Sequence, residues 1–329
     1  MKITYKKNDK LPPLAWLAEC EKGNIMVYHG ERVEARENFW VEGAWNGEFS
    51  QGDFEKADWF CGTGAKRTGE KICFSTPSHI NYGLYFVKIE EKIIVSNSLY
   101  FLLTKCSYKL DVNYFKYETD FLTITQGIYK YKENIHVLNK KNEKEEIKVF
   151  YFRNIFVDSE NQYSVSVKLE VQSFESYDNY YSRLISAMQE FAANVRCEMR
   201  EFSYDFVSTI SKGYDAACCS AIAKKIGCNK AVTFKDEGHH KNDSGVEIAR
   251  KLGYKNIIER DCEAYADRKD FVEAEYLSTG ELGSTITLCA FDEDFKNNVV
   301  ITKKEKRYVE KINCVFTGGI VAGGYDRLQ

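Results

Sequence analysis

The sequence lacks an excess of positive charge and a membrane-length apolar run, and we expect no secretory leader. Its 46 Lys and Arg residues are outnumbered by 49 Asp and Glu residues, so the formal net charge is −3. Nucleic-acid binding needs clustered positive charge to neutralise phosphates, and we therefore expect no nucleic-acid partner. The basic start, Met1–Lys7, is not followed by an apolar stretch and a cleavage site. These absences predict a cytoplasmic protein without membrane contact.

Cysteine is plentiful, but the spacing typical of metal sites is missing. The chain contains 11 cysteines and no C-x-x-C pair. Cys218 and Cys219 are adjacent on a predicted helix, so their side chains point about 100° apart. Cys73, Cys289 and Cys314 lie in apolar, strand-like runs and are interpreted as small core residues. We predict reduced thiols, in keeping with a cytoplasmic location.

Two common phosphate-binding motifs are also absent. Neither the P-loop pattern G-x-x-x-x-G-K-[ST] nor the dinucleotide pattern G-x-G-x-x-G occurs. A nucleotide site in this chain must therefore use a different loop.

The chain is long for one domain, and its pattern changes near the middle. Residues 1–160 are rich in aromatic residues and short strand-like runs, which favours a layered β-rich domain. Residues 176–329 alternate strand-like and helix-like segments, which favours a parallel α/β sheet, and the boundary is predicted between Ser159 and Ser176. The predicted elements of the second part are strands over 206–211, 230–235, 254–260, 285–291 and 311–317, and helices over 180–199, 215–226, 243–252 and 263–276, with Gly227 and Gly253 ending two helices.

A short loop joins the first strand of the second part to the next helix. It reads Ser211-Lys212-Gly213-Tyr214-Asp215-Ala216. In parallel sheets, ligands bind beyond the carboxyl ends of the strands, where helix N-termini present N–H groups to anions. Ser211 can donate to a phosphate oxygen, and Asp215 can hold Mg²⁺ against the phosphate. A plain turn, in which Ser211 and Asp215 only cap the helix, is the alternative that stays open.

The segment Thr209–Ala216 resembles the S-G-G-x-D-S pyrophosphate loop of the asparagine synthetase family. Further segments occur in that family's order. They are the helix over 180–195, the strand end Ala231–Phe234, the helix start Asp243–Ala249, a second glycine-rich loop at Val315–Gly319 and Gly323–Tyr325, and, in the N-terminal half, Gly47–Phe49, 58–62 and Lys92–Leu99. The resemblance covers most of the chain and is most specific over 206–260.

This resemblance implies a fold and a chemistry. The implied fold is an Ntn-hydrolase-like domain over 1–160, similar to an inactive glutaminase domain, and a Rossmann-like ATP-pyrophosphatase domain over 176–329 that binds ATP and Mg²⁺. Asp215 would hold the metal, Ser211 and Lys212 would hold the pyrophosphate, and Asp215 and Lys212 would be the catalytic residues. The rest of the implied nucleotide site comprises Gly213, Tyr214, Ala216, Thr233, Phe234, Thr317 and Gly318. The implied reaction joins a carboxylate to an amine through an acyl-adenylate, with release of pyrophosphate.

The sequence departs from the family pattern at four places. Lys2 stands where glutaminases have a catalytic cysteine, so we expect no ammonia from glutamine hydrolysis. Lys212 replaces a glycine and Ala216 a serine, which removes a hydroxyl donor worth about 1.5–3 kcal/mol to an anion. Ala322 or its neighbour Val321 stands where a second metal-binding aspartate is usual. The family's helical C-terminal region would follow Gln329, so either the sequence is truncated there or the chain does not complete the reaction alone.

Three functions therefore stay open. The first is the ATP-dependent ligase. The second is a catalytically impaired relative that serves as a nucleotide-binding or protein-interaction module, with a protein partner or a homodimer formed through the aromatic-rich N-terminal half. We interpret those aromatic residues mainly as core, however. The third is sulfur transfer by Cys218 or Cys262, which the position of Cys218 within a helix disfavours.

Overall fold

The structure is a computed structural model that describes residues 1–80, 82–168, 173–202, 204–235, 243–261, 298–302 and 314–317. The chain divides into two compact units. The described residues of the first unit lie within Met1–Gly43 and Gly52–Glu170, and those of the second within Ala44–Gln51, Val171–Ser278 and Leu282–Gln329. The fold class is mixed α/β, with a β-rich N-terminal region and a parallel sheet in the C-terminal region.

The first unit is built on two β-sheets. The seven-stranded sheet runs, from edge to edge, through β1 (Lys2–Lys7), β3 (Asn24–His29), β2 (Trp16–Glu21), β9 (Lys92–Ser96), β8 (Leu84–Ile89), β11 (Lys144–Phe150) and β10 (Asn134–Leu138). The six-stranded sheet runs through β13 (Tyr163–Val167), β12 (Arg153–Val157), β7 (Lys71–Ser75), β6 (Phe60–Thr68), β5 (Phe39–Trp45) and β4 (Glu34–Ala35). The two-residue turn Glu90-Glu91 joins β8 to β9, and Glu90 takes a positive φ of 52°.

Aromatic side chains fill the core to which both sheets contribute. Trp16 of β2 meets Trp40 of β5 edge-on at 5.7 Å between ring centroids, and stacks on Phe74 of β7 at 6.2 Å. All three side chains are fully buried. Each large aromatic side chain removed from water contributes about 1.5–3 kcal/mol. The aromatic residues at these positions therefore serve as core, in agreement with the interpretation from the sequence.

Helices cover the other face of the seven-stranded sheet. They are α1 (Leu99–Cys106) and α2 (Tyr117–Leu122), and α2 continues into a 3-10 turn over Thr123–Gln126. Leu102 of α1 packs in a second apolar cluster with Leu17 and Val149 of the sheet. The hydroxyl of Ser98 accepts a hydrogen bond from the Phe101 amide and so caps the start of α1.

A buried carboxylate is held by polar groups inside the first unit. Glu42 is 1% exposed, and its Oε1 accepts hydrogen bonds from the amide of Thr63 at 2.9 Å and from its hydroxyl at 2.6 Å. Asn97 donates to the same oxygen at 3.3 Å, and the Trp16 indole donates to the Thr63 hydroxyl at 2.9 Å. A buried carboxylate is tolerated only where such donors replace water, so this network fixes how these strands pack.

The second unit contains a five-stranded parallel sheet. Its order is β16 (Asn256–Asp261), β15 (Lys230–Lys235), β14 (Asp205–Thr209), β17 (Asn298–Thr302) and β18 (Cys314–Thr317), and its helices are α3 (Tyr177–Val195), α4 (Tyr214–Lys225) and α5 (Val246–Lys251). Each strand pairs with its neighbour in parallel. A short 3-10 turn, Phe49–Gln51, also belongs to this unit. The buried runs of β14 and β15 are mostly apolar, as is usual in parallel sheets, which helices cover on both faces.

Glycine ends α4 and α5, as the sequence predicts. Gly227 and Gly253 have φ values of 90° and 78°, a region that side chains with a Cβ rarely adopt. The Gly227 amide donates to Lys224 O and the Cys228 amide to Ala223 O, which is the Schellman pattern of hydrogen bonds. The equivalent bonds close α5 at Gly253.

Some predictions for the second unit need correction, and others cannot be compared. The helix predicted over 243–252 begins only at Val246, because the three residues before it pair with another loop. Strand β17 was not predicted. The predicted elements over 263–276 and 285–291, and Gly318 and Ala322, lie outside the described residues. No helix within the described ranges is long and apolar enough to cross a membrane.

The described cysteines are all free thiols, as expected. Cys73 is fully buried, and burial raises its pKa to about 12. Burial likewise raises the pKa of Cys20 to about 12 and that of Cys228 to about 11. These thiols stay protonated at neutral pH and act as small apolar side chains.

Candidate functional site

The loop at 211–213 leaves the sheet at the carboxyl end of β14. Ile210, the residue after this strand, is buried, and its amide donates to Val232 O of the neighbouring β15 at 3.0 Å. β14 is the central strand, with β15 on one side and β17 on the other. The loop therefore begins in the middle of the sheet edge towards which all five strands run. This is the edge at which parallel sheets bind ligands.

A second segment holds this loop in place. The Lys212 amide lies 3.1 Å from both the carbonyl oxygen and Oδ1 of Asp243, and Ser211 forms an isolated bridge with Ser244. Gly245 packs so closely that a Cβ there would lie 2.9 Å from the carbonyl carbon of Ile210. These contacts explain why residues 243–245 are not helical. Sequence reasoning missed Asp243 as a partner of the loop because the pairing joins residues about thirty positions apart.

Thr233 takes part in the same arrangement. It is fully buried at β15, and its hydroxyl accepts a hydrogen bond from the Gly245 amide at 2.8 Å. Its side chain therefore positions the segment that supports the loop. Phe234, the next residue, is half-buried near the carboxyl end of the same strand. Thr317 ends β18, at the same edge of the sheet but with β17 between it and β14.

The start of α4 has no side-chain cap. Gly213 precedes the helix with extended φ and ψ of −65° and 143°, and no side chain accepts a hydrogen bond there. The helices α1 and α3, by contrast, are capped by the hydroxyls of Ser98 and Ser176. Within the described part of the chain, the amides of the first three residues of α4, residues 214–216, have no acceptor. These donors and the positive end of the helix dipole can bind an anion.

Most of the side chains around these amides are exposed to solvent. Lys212, Tyr214 and Asp215 are exposed, and Tyr214 is 94% exposed. The Ser211 hydroxyl accepts from the Gly213 amide at 3.2 Å, which leaves its proton available to a ligand oxygen. The side chain of Ala216 is buried. The structure thus brings Ser211, Lys212 and Asp215 to one end of α4.

A chain of hydroxyl groups fixes α4 against the sheet. Ser220 donates to Ala216 O at 2.8 Å within the helix, and so accepts from the hydroxyl of Ser208 of β14 at 2.9 Å. The hydroxyl of Tyr254 donates to Ser220 O at 2.7 Å. Burial raises the pKa of Tyr254 well above its usual range, so the phenol remains a donor at neutral pH. Sequence reasoning did not single out these residues, because serine and tyrosine give no signal of burial.

The loop fits Mg²⁺ bound to a phosphate better than a metal bound by protein alone. No group of three or more His, Cys, Asp or Glu side chains suited to a metal occurs among the described residues. Mg²⁺ usually keeps several waters and binds one or two carboxylates together with substrate phosphates. Asp215 is an exposed carboxylate in the first turn of α4, next to the amides that have no acceptor among the described residues.

A concave pocket in the second unit lies away from this loop's residues. It has a volume of about 500 Å³. Its lining includes Gly47–Ser50 and the α3 residues Glu190 and Asn194, with no residue from 211–216. Asn194 donates to Gly47 O at 2.8 Å, which ties the segment Ala44–Gln51 to α3. Its walls are mainly apolar, and nothing in the sequence predicted it.

Comparison with known proteins does not assign this chain to a family. No protein-family model matches it, and no curated protein has a significantly similar sequence.

Proposed function

We propose that the chain is an ATP-dependent, AMP-forming ligase of the asparagine synthetase or beta-lactam synthetase type. The observation that carries this proposal is the uncapped start of α4, where three amides with no acceptor among the described residues lie at the carboxyl edge of a parallel sheet. Such a helix start suits a polyphosphate. The resemblance of Thr209–Ala216 to a pyrophosphate loop supplies the class of nucleotide.

The proposed roles follow from the chemistry of each group. Lys212 and the amides of residues 214–216 hold the pyrophosphate, and the Ser211 hydroxyl donates to it. Asp215 would hold Mg²⁺, which would supply positive charge to neutralise the phosphates. A substrate carboxylate attacks the α-phosphorus and pyrophosphate leaves. An amine then attacks the activated carbonyl carbon, loses a proton and displaces AMP.

The finer description of the fold belongs to the same proposal. The strand order of the second unit, with the first strand central and the next two on one side, supports a Rossmann-like ATP-pyrophosphatase domain. The two sheets of the first unit and their shared apolar core support an Ntn-hydrolase-like layered domain. Lys2 at the start of β1 makes this domain an inactive glutaminase under the proposal.

A second candidate is a nucleotide-binding or protein-interaction module without ligase activity. The observation that favours it is that two backbone amides of the loop already have hydrogen-bond acceptors within the protein. The Lys212 amide is already bonded to Asp243 and the Gly213 amide to Ser211. Fewer donors are therefore left for a pyrophosphate than in a loop with two glycines. Binding could persist in this case while the stabilisation of a leaving pyrophosphate is lost.

Calorimetric titration of pyrophosphate and ATP, with and without Mg²⁺, tests the site. With Mg²⁺ we expect Asp215→Ala to weaken binding about tenfold or more, since a charge-assisted contact contributes about 1.5–3 kcal/mol. Without Mg²⁺ the same change should not weaken binding, because it removes a like charge from the anion site. Asp178→Ala is the matched control, since Asp178 is also an exposed acid in the first turn of a helix.

The two candidates are then separated by chemistry. Carboxylate-dependent exchange of labelled pyrophosphate into ATP is expected of the ligase. Nucleotide binding without exchange across a panel of carboxylates would identify the binding module. Absence of pyrophosphate and ATP binding by the unaltered chain would refute both the ligase and a nucleotide-binding module, and would leave only the protein-interaction module.

A further inference from the structure

The strand β13 is an open edge of the six-stranded sheet. Its five residues, Tyr-Ser-Val-Ser-Val, carry no charge, and all five are exposed. Tyr163, Val165 and Val167 share one face, and the ring of Tyr163 lies 4.7 Å from that of core residue Phe86. These three side chains remain 36–38% exposed because no described strand lies beyond them. No described residue therefore covers the apolar core along this edge.

The register with β12 shows which backbone groups face outward. The Lys168 amide donates to Phe152 O, and Gln162 O accepts from the Asp158 amide. Antiparallel pairs alternate between bonded and non-bonded, so the even-numbered residues of β13 bond to β12. The N–H and C=O groups of Tyr163, Val165 and Val167 consequently point away from β12. Within the described residues these groups have no partner.

The other described edges of the two sheets are protected. β1 carries Lys2, Lys6 and Lys7, whose charges oppose pairing with another strand. β4 has only two residues. At the end of β10, Leu138 is bonded in both directions to Lys109, which lies outside the sheet. Natural edges are usually blocked in such ways, so the unblocked β13 is the exception that needs a function.

We propose that β13 pairs antiparallel with β13 of a second copy of this chain. The strand is close to palindromic, so a two-fold axis at Val165 places Val165 opposite itself and Tyr163 opposite Val167 of the second copy. These are three residue pairs whose free backbone groups face each other, and each pair exchanges two hydrogen bonds. On the opposite face Ser164 lies across from Ser166 of the second copy. No charged side chains meet, and aromatic–valine pairs extend the apolar core.

The size of this contact sets its strength. Five paired residues per copy are far fewer than the roughly 20–30 per side of a standard stable interface. A weak dimer that forms at micromolar or higher concentration is therefore expected. The strand of an unrelated protein would satisfy the same backbone groups. A second copy, however, always brings the same uncharged, nearly palindromic strand, which matches β13 in an antiparallel pairing.

Sedimentation velocity of the full chain, from low to high micromolar concentration, tests the proposal. The unaltered chain is expected to shift from monomer to dimer. Val165→Lys places two like charges opposite each other on the axis and should weaken association about tenfold or more. Val165→Glu should do the same, and an equimolar mixture of the two variants should dimerise again. Glu160→Lys is the matched control, because Glu160 lies in the turn before the paired residues.

The restored mixed dimer makes the test independent of folding defects in either variant. A monomeric unaltered chain at every concentration would overturn the proposal, even if β13 binds a strand of another protein. A dimer that persists unchanged in Val165→Lys would overturn it as well, since association would then use another surface.

Discussion

Replacing Lys168 with methionine tests how much a buried amine destabilises the first unit. Lys168 is 4% exposed, and its Nζ has no hydrogen-bond partner among the described residues. The Phe60 ring lies 4.9 Å from Nζ, but a cation–π contact contributes only about 0.5–2 kcal/mol. Burying an ammonium group without a paired charge costs several kcal/mol, so desolvation dominates. Burial accordingly lowers the pKa of Lys168 to about 7.

The size of the effect follows from that pKa. The difference between 10.5 and about 7 corresponds to about 5 kcal/mol at about 1.4 kcal/mol per pH unit. Below pH 7 both states are protonated and the full destabilisation is present. Between pH 7 and 10.5 the unfolded chain binds a proton that the folded chain does not, so stability rises with pH. The rise from pH 7 to pH 8.5 is about 1.5–2 kcal/mol.

Urea unfolding at these two pH values, followed by the fluorescence of buried Trp16 and Trp40, measures both quantities. Lys168→Met should raise the free energy of unfolding by about 4 kcal/mol at pH 7 and should remove the extra rise towards pH 8.5. Lys71→Met, at an exposed position on β7, is the control and should change little. Equal pH dependence in the unaltered chain and Lys168→Met would refute the reasoning, and so would a less stable variant.

Two further substitutions test the hydrogen-bond network around Glu42 and the glycine that ends α4. Thr63→Val keeps the shape but removes a donor to Glu42 and an acceptor for the Trp16 indole, so urea unfolding should show a loss of about 1–3 kcal/mol; unchanged stability would mean that the network contributes nothing. Gly227→Ala should cost about 1 kcal/mol in the same assay because of the positive φ after α4, and Gly227→Asn should recover part of it. Equal stability of the alanine and asparagine variants would contradict the backbone explanation.

Local chemistry made parts of the second unit predictable. The alternation of apolar strand runs with helices indicated parallel strands, and glycine marked the ends of α4 and α5 because only the backbone conformation matters there. The predicted start of α5, at residue 243, was wrong, because the helix begins at Val246. Asp243 and Gly245 have helix-compatible neighbours in sequence, but contacts with Lys212 and Ile210 decide their conformation. Such contacts join residues that are far apart in the chain, so they produce no periodic pattern in the sequence.

At the candidate site, too, the sequence predicted some features and not others. The loop at Ser211–Ala216 was found from its residues, because serine, glycine and aspartate at a strand-to-helix junction suit an anion. The sequence did not reveal that the amides of Lys212 and Gly213 are already bonded, while those of residues 214–216 have no acceptor in the described part of the chain. It also predicted nothing about the hydroxyl chain through Ser220 that holds α4 on the sheet.

By itself, the sequence determined the mixed α/β fold class, the aromatic core and the position of a candidate anion-binding loop, because each depends on the residue types and their spacing along the chain. Only the tertiary structure decided which backbone groups remain without partners. At the start of α4 and along β13 that outcome depends on which distant strand or segment lies alongside. A buried charge such as Lys168 has the same origin, since burial is a property of the packed unit and not of the lysine.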